Sequence, residues 1–505
     1  MSKYKATIGL EIHAELKTSS KMFCSCKNDP FHSSQNENIC PVCLGMPGTL
    51  PVLNRQAIEW TILTGLALNC KIGHSLPYQS ASSPRESALW CKWDRKNYFY
   101  PDLPKGYQIS QYDLPLCFQG YLEISRYKIQ DTRYKQIPND KSQITNKKIR
   151  ITRIHLEEDT GTLKHPEGRQ EVDYSLADYN RSGVPLMELV TEPDIETAQE
   201  AKEFCKEYQL ILRHLGVSDA DMEKGQMRCE ANVSISVDKK LGTKVEVKNL
   251  NSFKAVEKAI EYEIQRQTEV LESGERIVQE TRGWDDGKGK TYTMRVKETS
   301  ADYRYFPEPD LPPVKLEASS KKLVSSINIE EIKRVMPKLH SEKKNDYMQK
   351  YQLSEKDAAL ISSNPKISEF FEEGIKHTKF AKELAGWIIN EPNAMELSAR
   401  NLAELVNLIE NKEISRTAAK EILPEIKQGK RPCDIIKEKG LKQISDGNEL
   451  ESVIDKVMKE NPKVIAKIKA GKTQVIGFLV GQVMSATRGK ANPQIVNQIL
   501  KKKIG

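Results

Sequence analysis

Hydrophobic and polar residues alternate in the first segment of the chain, between residues 6 and 16. Apolar side chains occupy every second position there: Ala6, Ile8, Leu10, Ile12, Ala14 and Leu16. The intervening positions include three ionisable residues, Glu11, His13 and Glu15. Because side chains on a strand point to opposite faces with a period of two, this pattern predicts a strand that is buried on one face.

Other segments of the first 310 residues predict further strands and two helices. Strands are expected at 231–237, 245–247 and 292–296. One helix is expected from about Asp194 to Leu215, before Gly216, and another from Asn251 or Ser252 to about Gly274. These elements do not alternate as βαβ units, so the sequence predicts an α+β domain built around an antiparallel sheet.

The pattern changes after the proline-rich segment 306–313. From about Asn328 onward, Lys, Glu, Leu, Ile and Ala recur at helical spacing, and no segment there predicts a strand. We therefore predict three domains: a catalytic domain at 1–310, a helical linker domain at 311–400 and a helical tail domain at 401–505. A chain of 505 residues is too long for a single hydrophobic core, which agrees with this division.

The composition indicates a soluble globular protein, with 38% hydrophobic and 29% charged residues. No apolar run approaches the roughly 20 residues that a membrane-spanning helix needs. The N-terminus resembles neither a secretory signal nor a transit peptide. The expected location is the cytoplasm, without membrane association.

The net charge of +8 is concentrated at one end of the chain. Residues 461–505 contain no Asp or Glu, and their basic residues are Lys463, Lys467, Lys469, Lys472, Arg488, Lys490, Lys501, Lys502 and Lys503. A basic terminus on a nearly neutral body suggests a polyanionic partner. A solvated, lysine-rich helix face explains the charge equally well.

Four of the ten cysteines form two close pairs, Cys24-x-Cys26 and Cys40-x-x-Cys43. Two thiolate pairs at this spacing can surround zinc tetrahedrally, and four protein ligands leave no open position for water. We therefore predict a structural zinc site in the loop 24–43. The alternative is four reduced cysteines in a loop.

Several carboxylates are candidates for a hard-cation site. Glu11 and His13 lie on one face of the first predicted strand, and Glu188 is flanked by apolar residues, where a charge is costly unless it is paired or bound to a cation. Both observations also fit a strand with one solvated face.

The segment 94–111 alternates basic and aromatic residues, which suits the phosphates and rings of a nucleotide. An aromatic loop packed on the core explains it as well. The sequence contains neither a Walker P-loop nor a G-x-G-x-x-G motif.

Six segments together resemble one family, the B subunits of the glutamyl/aspartyl-tRNA amidotransferases. They occur in the order and at about the spacing of that family: IGLEIHAEL from Ile8, DRKNYFYPDLPKGYQISQ from Asp94, RIHLEEDTG from Arg153, NRSGVPLMELVTEPD from Asn180, VKNLNSF from Val247 and DYRYFPEPDLPP from Asp302. The segment that begins GFLVGQVM at Gly477 resembles the family's tail, which is related to YqeY-type proteins.

This resemblance implies an N-terminal cradle of the glutamine synthetase and guanido-kinase type, followed by all-α domains. It implies a carbon–nitrogen ligase with glutamine as amido donor. Such a subunit uses ATP to phosphorylate the side-chain carboxylate of Glu-tRNA(Gln) or Asp-tRNA(Asn), and ammonia then displaces phosphate. The implied partners are the amidase (A) subunit, which supplies ammonia, the small (C) subunit, and the tRNA, which the basic tail would bind.

The resemblance also assigns residues by motif. The expected Mg²⁺ ligands are Glu11, His13, Glu158 and Glu188. Residue type further suggests Lys96 for the ATP phosphates and Arg153 for developing charge, with a pocket lined by Tyr98, Tyr100, Ser110 and Gln111.

Segments 77–91 and 126–148 are longer than the family pattern, and Trp93 stands where phenylalanine is expected. One alternative function is a non-catalytic tRNA-binding scaffold with the same fold. The retained Glu and His set argues against it. The other alternative is a stand-alone ligase for a free amino acid, which would not need a basic tail.

Overall fold

The structure is a computed structural model, and it describes residues 3–75, 89–127, 144–164, 174–238, 241–296, 304–317, 327–441, 447–469, 473–487 and 491–504. The long segments at 77–91 and 126–148 fall largely outside these residues. The chain divides into two compact units, Met1–Leu339 and His340–Gly505.

The described residues form eighteen strands: β1 (Lys5–Glu15), β2 (Lys71–Ile72), β3 (His74–Ser75), β4 (Leu89–Cys91), β5 (Asp94–Asn97), β6 (Tyr107–Ser110), β7 (Cys117–Tyr127), β8 (Ile144–Glu158), β9 (Thr162–Lys164), β10 (Leu176–Asp178), β11 (Pro185–Thr191), β12 (Met227–Ser236), β13 (Val245–Leu250), β14 (Glu280–Asp285), β15 (Lys290–Val296), β16 (Arg304–Pro307), β17 (Val314–Glu317) and β18 (Ile327–Asn328).

The same residues form fifteen α-helices: α1 (Arg55–Ala67), α2 (Ala198–Leu215), α3 (Phe253–Glu272), α4 (Ile329–Arg334), α5 (His340–Lys350), α6 (Glu355–Ser362), α7 (Pro365–Gly374), α8 (Ala381–Asn390), α9 (Ala399–Glu410), α10 (Arg416–Lys427), α11 (Pro432–Lys439), α12 (Gly447–Glu460), α13 (Pro462–Lys469), α14 (Ile476–Ala486) and α15 (Pro493–Ile504). None of these helices combines the length and apolar character that a membrane span requires.

A nine-stranded sheet organises the first unit, in the order β15-β14-β13-β12-β1-β11-β8-β7-β2. Neighbouring strands are antiparallel except β13 and β14, which are parallel. Two-, three- and four-stranded sheets accompany it: β10-β9, β16-β5-β6 and β18-β17-β4-β3. The prediction of a protein that mixes α-helices and β-strands, with a large sheet in its N-terminal part and many helices, is confirmed.

Strand β1 has the alternation that its sequence predicts. Ile8, Leu10 and Ile12 are at most 1% exposed, whereas Glu11 and His13 are partly exposed on the opposite face. The predicted strands at 231–237, 245–247 and 292–296 are confirmed as β12, β13 and β15, with shifted ends.

Helices α2 and α3 confirm the two helix predictions and pack on one side of the sheet, α2 beside β7 and α3 beside β12 and β13. The side chains of Thr197 and Ser252 accept hydrogen bonds at their N-termini, and Gly216 ends α2 with a left-handed φ of 71°. Phe204 and Val256 are fully buried. These helices occupy one face of the sheet, so the polar side chains of β1 and its neighbours point to the other face.

The second unit is helical throughout its described residues, as predicted for the chain after Asn328. Two separate hydrophobic clusters lie in it, with buried members from Tyr347 to Ile436 in one and from Leu450 to Ile504 in the other. Each helix buries one side in its own cluster, which is typical of amphipathic helices in small bundles.

Candidate functional site

The centre of the open sheet face carries a row of three ionisable residues. His13 on β1 lies opposite Glu188 on β11, and Glu188 lies opposite His155 on β8. Residues that are paired across neighbouring strands point to the same face, so the register brings the three side chains together. Glu188 is only 7% exposed, and its apolar sequence neighbours Met187 and Leu189 pack into the core behind it.

A second carboxylate, Glu157, joins this row from β8. His13 Nε2 lies 3.4 Å from Glu188 Oε2 and 3.7 Å from Glu157 Oε1. His155 Nε2 lies 3.2 Å from Glu188 Oε2 and 3.8 Å from Glu157 Oε2. Donor atoms of His13, Glu157 and Glu188 all lie within 4.8 Å of one another, a spacing at which they could share one metal ion.

The charges of these groups depend on one another. Burial by itself would lower the pKa of His13, but Glu188 and Glu157 outweigh it and raise that pKa to about 9. The pKa of His155 is also raised, because the same carboxylates outweigh its burial. Burial opposes the charge of Glu188 as well, yet His155 and His13 hold its pKa well below its ordinary value. The row therefore contains ionised carboxylates at neutral pH.

A second acidic cluster lies beside the first on the same face, formed by Glu11 on β1, Glu230 on β12 and Glu246 on β13. Glu11 is paired with Glu230 across the two strands and accepts a hydrogen bond of 2.8 Å from Asn232 Nδ2. Lys248 Nζ lies 2.9 Å from Glu230 and 3.3 Å from Glu246. Lys248 thus contacts two of the three carboxylates, and the close spacing of the three is one that a divalent cation could balance.

Glu158 does not join the row, although the sequence suggested it as a ligand. It points to the face opposite Glu157, where its carboxylate forms an ion pair with the buried Lys105 and accepts a 3.0 Å hydrogen bond from the Ile109 N–H. Consecutive residues of a strand cannot share a face. Because side chains two positions apart on a strand share a face, the sequence already places Glu157, and not Glu158, on the same face as His155.

The basic and aromatic segment at 94–111 lies next to the row. Ser110 Oγ donates to Glu157 Oε2 at 3.2 Å, and the charge of Lys96 helps to lower the pKa of Glu157, against the effect of burial and together with His155. Lys96 Nζ lies 5.7 Å from the centre of the Tyr98 ring, and the Tyr98 and Tyr100 rings are 6.1 Å apart. The structure therefore brings Lys96 and Ser110 to the row, with Tyr98 beside Lys96.

Gln111 has a different position from the one expected of a pocket residue. Its Oε1 accepts hydrogen bonds from the N–H groups of Leu116 and Leu156, and its Nε2 donates to the Lys92 carbonyl. These hydrogen bonds use both the carbonyl oxygen and the NH2 group of the side-chain amide. Gln111 therefore positions the backbone of β8 rather than lining an open cavity.

Arg153 is on β8 two residues before His155 and points to the same face. Its buried Nε has no hydrogen-bond partner among the described residues. A buried guanidinium N–H without a partner is costly, so it is a candidate donor for a bound anion.

Tyr305 was not identified as a site residue from the sequence. It lies on β16 opposite Lys96, and its ring stacks on Tyr112 with centroids 4.3 Å apart. The pKa of Tyr305 is raised, mainly because the side chain is buried. Glu157 and Glu188 raise this pKa further and Lys96 opposes them, so the phenol remains neutral beside the row. Only the pairing of β16 with β5, two segments far apart in the sequence, places it there.

The four paired cysteines converge in the first unit, with their Sγ atoms within 4.8 Å of one another. The Cys43 thiol accepts a hydrogen bond from Cys24, and together with the Cys40 N–H and the Lys21 cation this lowers the pKa of Cys43 to about 5 against the effect of burial. A hydrogen bond to Cys43 raises the pKa of Cys24, and burial raises the pKa of Cys26 to about 11. One stable thiolate among four converging sulfurs is a set that could bind a metal ion.

Sequence comparison reveals extensive similarity to one group of proteins. The family model described as GatB/GatE catalytic domain matches residues 6–322, and the model described as GatB domain matches residues 369–504. Three similar proteins are named as the B subunit of an aspartyl/glutamyl-tRNA(Asn/Gln) amidotransferase. They come from Carboxydothermus hydrogenoformans (45% identical, covering 100% of this chain and 99% of the relative), Caldicellulosiruptor saccharolyticus (46%, covering 99% of each) and Thermodesulfovibrio yellowstonii (47%, covering 99% and 98%).

The charge coupling in the row can be tested by replacing Glu188 with Gln. Removing this carboxylate should lower the pKa of His13 from about 9 by at least about one pH unit, because a carboxylate at this distance shifts a pKa by about 1–3 units. A pH titration of the histidine ring signals by NMR without added Mg²⁺ measures this value, with the His13 signal assigned by its loss in His13→Gln. Asp219→Asn on the surface is the control, and an unchanged midpoint in Glu188→Gln would contradict the assigned coupling.

Proposed function

Because the chain belongs to the family of aspartyl/glutamyl-tRNA(Asn/Gln) amidotransferase B subunits, we propose that it carries out the ATP-dependent transamidation of Glu-tRNA(Gln), Asp-tRNA(Asn) or both. The reaction is that of a carbon–nitrogen ligase and depends on a nucleotide. The observation that carries the proposal is the row of His13, Glu188, His155 and Glu157 on the open face of the sheet.

The chemistry requires activation of a poor acyl donor. A side-chain carboxylate would have to expel oxide, so its oxygen first attacks the γ-phosphorus of ATP and ADP leaves. The resulting acyl phosphate has a good leaving group. Ammonia then attacks the carbonyl carbon, and phosphate departs to give the amide.

The residues of the row fit a hard cation, because they offer ionised carboxylates and an imidazole with donor atoms close together. We propose that Glu11, His13 and Glu188 contribute to holding Mg²⁺, with Glu157, Glu230 and Glu246 in place of Glu158. Bound Mg²⁺ would supply charge neutralisation at the transferring phosphoryl group.

The cationic side chains at the edge of the row serve the phosphates. Arg153 has an Nε with no partner among the described residues, and Lys96 lies close enough to Glu157 to affect its pKa. We propose that these two side chains orient the phosphates and stabilise the charge that develops during transfer. Ser110 holds Glu157 in place, and the Tyr98 and Tyr100 rings line the approach.

We also propose that the first unit has the cradle fold of glutamine synthetase and guanido kinases. A largely antiparallel sheet with helices on one face and charged residues on the other supports this. The division at 1–310, 311–400 and 401–505 remains a proposal. The two hydrophobic clusters of the second unit support a division of the helical part, and the first of them extends beyond residue 400 to Ile436.

The name shared by the relatives places this kind of protein in an amidotransferase of several subunits. We propose that the partners are the amidase (A) subunit, which releases ammonia from glutamine, and the small (C) subunit, with tRNA(Gln) or tRNA(Asn) as the substrate carrier, in the cytoplasm. The exposed lysines of α13 and α15 support a tRNA contact, because they offer cations without neighbouring acidic residues in sequence.

Replacing Glu188 with Gln tests the proposed chemistry. In the complex with the partner subunits, tRNA-dependent ATP hydrolysis and amide formation should fall by at least about 10²-fold, because the phosphoryl group loses electrostatic stabilisation. Amide product is measured on both misacylated tRNAs, while glutaminase activity and assembly of the complex should persist. Asp219→Asn is the matched acidic control, and near-normal amidation by Glu188→Gln would contradict the site. Wild-type protein that binds tRNA without forming amide would favour the scaffold function.

The cysteine cluster is proposed to bind structural Zn²⁺. Elemental analysis should find about one zinc per chain, and Cys26→Ser should lose it together with thermal stability, because metal binding contributes directly to folding. Cys70→Ser, which changes a buried cysteine outside the cluster, should keep the metal. A zinc-free preparation whose melting temperature is unaffected by chelators would contradict this assignment.

The tail is tested by neutralising its exposed lysines without removing its hydrophobic core. Changing Lys463, Lys467, Lys501 and Lys502 together to Gln should weaken tRNA binding and reduce its salt dependence, with the logarithmic slope falling by about 0.7–0.9 for each phosphate contact that is lost. Binding is measured at several salt concentrations, and glutaminase activity serves as the control. An unchanged slope would show that these lysines do not contact the tRNA phosphates and only form a solvated surface.

A further inference from the structure

The edge of the nine-stranded sheet carries an aromatic ring that lies over a glycine of the neighbouring strand. Tyr292 on the edge strand β15 is paired with Gly283 on β14. A Cβ atom at Gly283 would lie 2.5 Å from Cζ and 2.7 Å from Oη of that ring, so the glycine provides the space that the ring occupies. The ring is nevertheless 45% exposed.

The ring lies on the same face as the two acidic clusters. Lys248 on β13 is paired with Gly283, which is paired with Tyr292, so the three point to one side. The hydrogen bond of 2.8 Å from Thr281 Oγ1 to Glu246 Oε2 independently places β14 and β13 side chains together on this face. Tyr292 therefore belongs to the open face rather than to the face that α3 covers.

The orientation of the ring is supported from a second side. Asn249 has a left-handed backbone, with φ of 65°, and its Nδ2 lies 3.4 Å from Tyr292 Oη. Met294 follows two positions later on β15 and is 50% exposed. The ring thus has one side against the glycine backbone and one side open, which is the geometry of a stacking surface.

Cationic groups lie close to this surface on the same face. Arg295 is exposed and is paired with Thr281, whose side chain points toward Glu246. Lys248 lies one strand beyond β14, between Glu230 and Glu246. Glu246, the nearest member of the acidic cluster, is on β13, two strand spacings or about 10 Å from β15, and Glu230 and Glu11 lie one and two strands farther. A planar base on the ring would leave its sugar and first phosphate over β14 and β13, beside Arg295 and Lys248.

We propose that Tyr292 is the stacking surface for the adenine base of a nucleotide that binds on this open face. The inference rests on the proposed function, which provides two adenine-containing substrates: ATP, and a tRNA with its 3′-terminal adenosine. Stacking on an aromatic ring suits either source, and Gly283 provides the space that the Tyr292 ring occupies.

The test uses Tyr292→Ala and Tyr292→Phe in the complex with the partner subunits. Calorimetry measures the binding of ATP and of inorganic tripolyphosphate, which has the charges but no base. We expect Tyr292→Ala to weaken ATP binding about tenfold and Tyr292→Phe to change it less than about twofold, with tripolyphosphate binding unchanged in both. Gly283→Ala, which displaces the ring, should reproduce the loss while melting at the wild-type temperature.

Val296→Ala is the matched control, because Val296 lies on the same strand and is equally exposed, but is paired with Glu280 on the helix-covered face. If ATP binding is unchanged in Tyr292→Ala and the KM for the misacylated tRNA rises about tenfold, the base belongs to the tRNA. If both stay within about twofold of wild type, or tripolyphosphate binding falls as much as ATP binding, the inference is wrong. If the wild-type complex binds ATP and forms amide but the Tyr292 variants behave like it, this inference alone is wrong. If the wild-type complex neither binds ATP nor forms amide, the proposed function is wrong as well.

Discussion

The buried carboxylate of Glu188 is the group on which the arrangement of the central sheet depends. An ionised carboxylate that is 7% exposed carries a desolvation cost of several kcal/mol unless opposite charges lie against it. Two imidazoles provide this compensation, His13 from one neighbouring strand and His155 from the other. Because their own charges are stabilised in return by Glu157 and Glu188, the register of β1, β11 and β8 and the ionisation of the row support each other.

This row can exist because the sheet is covered unevenly. Helices α2 and α3 bury the apolar side of the strands, with Phe204 and Val256 fully enclosed, so the opposite side is free to hold charged residues. Strands hold their side chains more rigidly than loops, which suits the proposed role of the row in orienting a phosphoryl group and an acceptor carboxylate. The same open face extends from the row to the acidic cluster of Glu11, Glu230 and Glu246 and on to the edge at Tyr292. Glu158 points to the opposite face and forms an ion pair with Lys105, whose side chain packs against Gly45, two residues after Cys43.

Local spacing along the chain is enough to specify several features of the fold. The alternation of residues 6–16 specified β1 and placed Glu11 and His13 on one face, since strand geometry has a fixed period of two. The caps at Ser252 and Gly216 specified helix ends, and the spacing of the four cysteines indicated a common site. Long, ordered motifs were also sufficient to identify the family, because so many matches cannot arise from composition alone.

The identity of the residues that meet across strands came from the tertiary structure. Glu157 rather than Glu158 faces His13, because the register of β8 against β11 fixes the phase of its alternation. Glu230 and Glu246 join Glu11, and Tyr305 joins Lys96, across long sequence separations that no local pattern encodes. The ring of Tyr292 lies over Gly283 for the same reason. Local sequence fixes the face to which a side chain points, whereas pairing between distant segments fixes its neighbours, and the chemistry of this site resides in those neighbours.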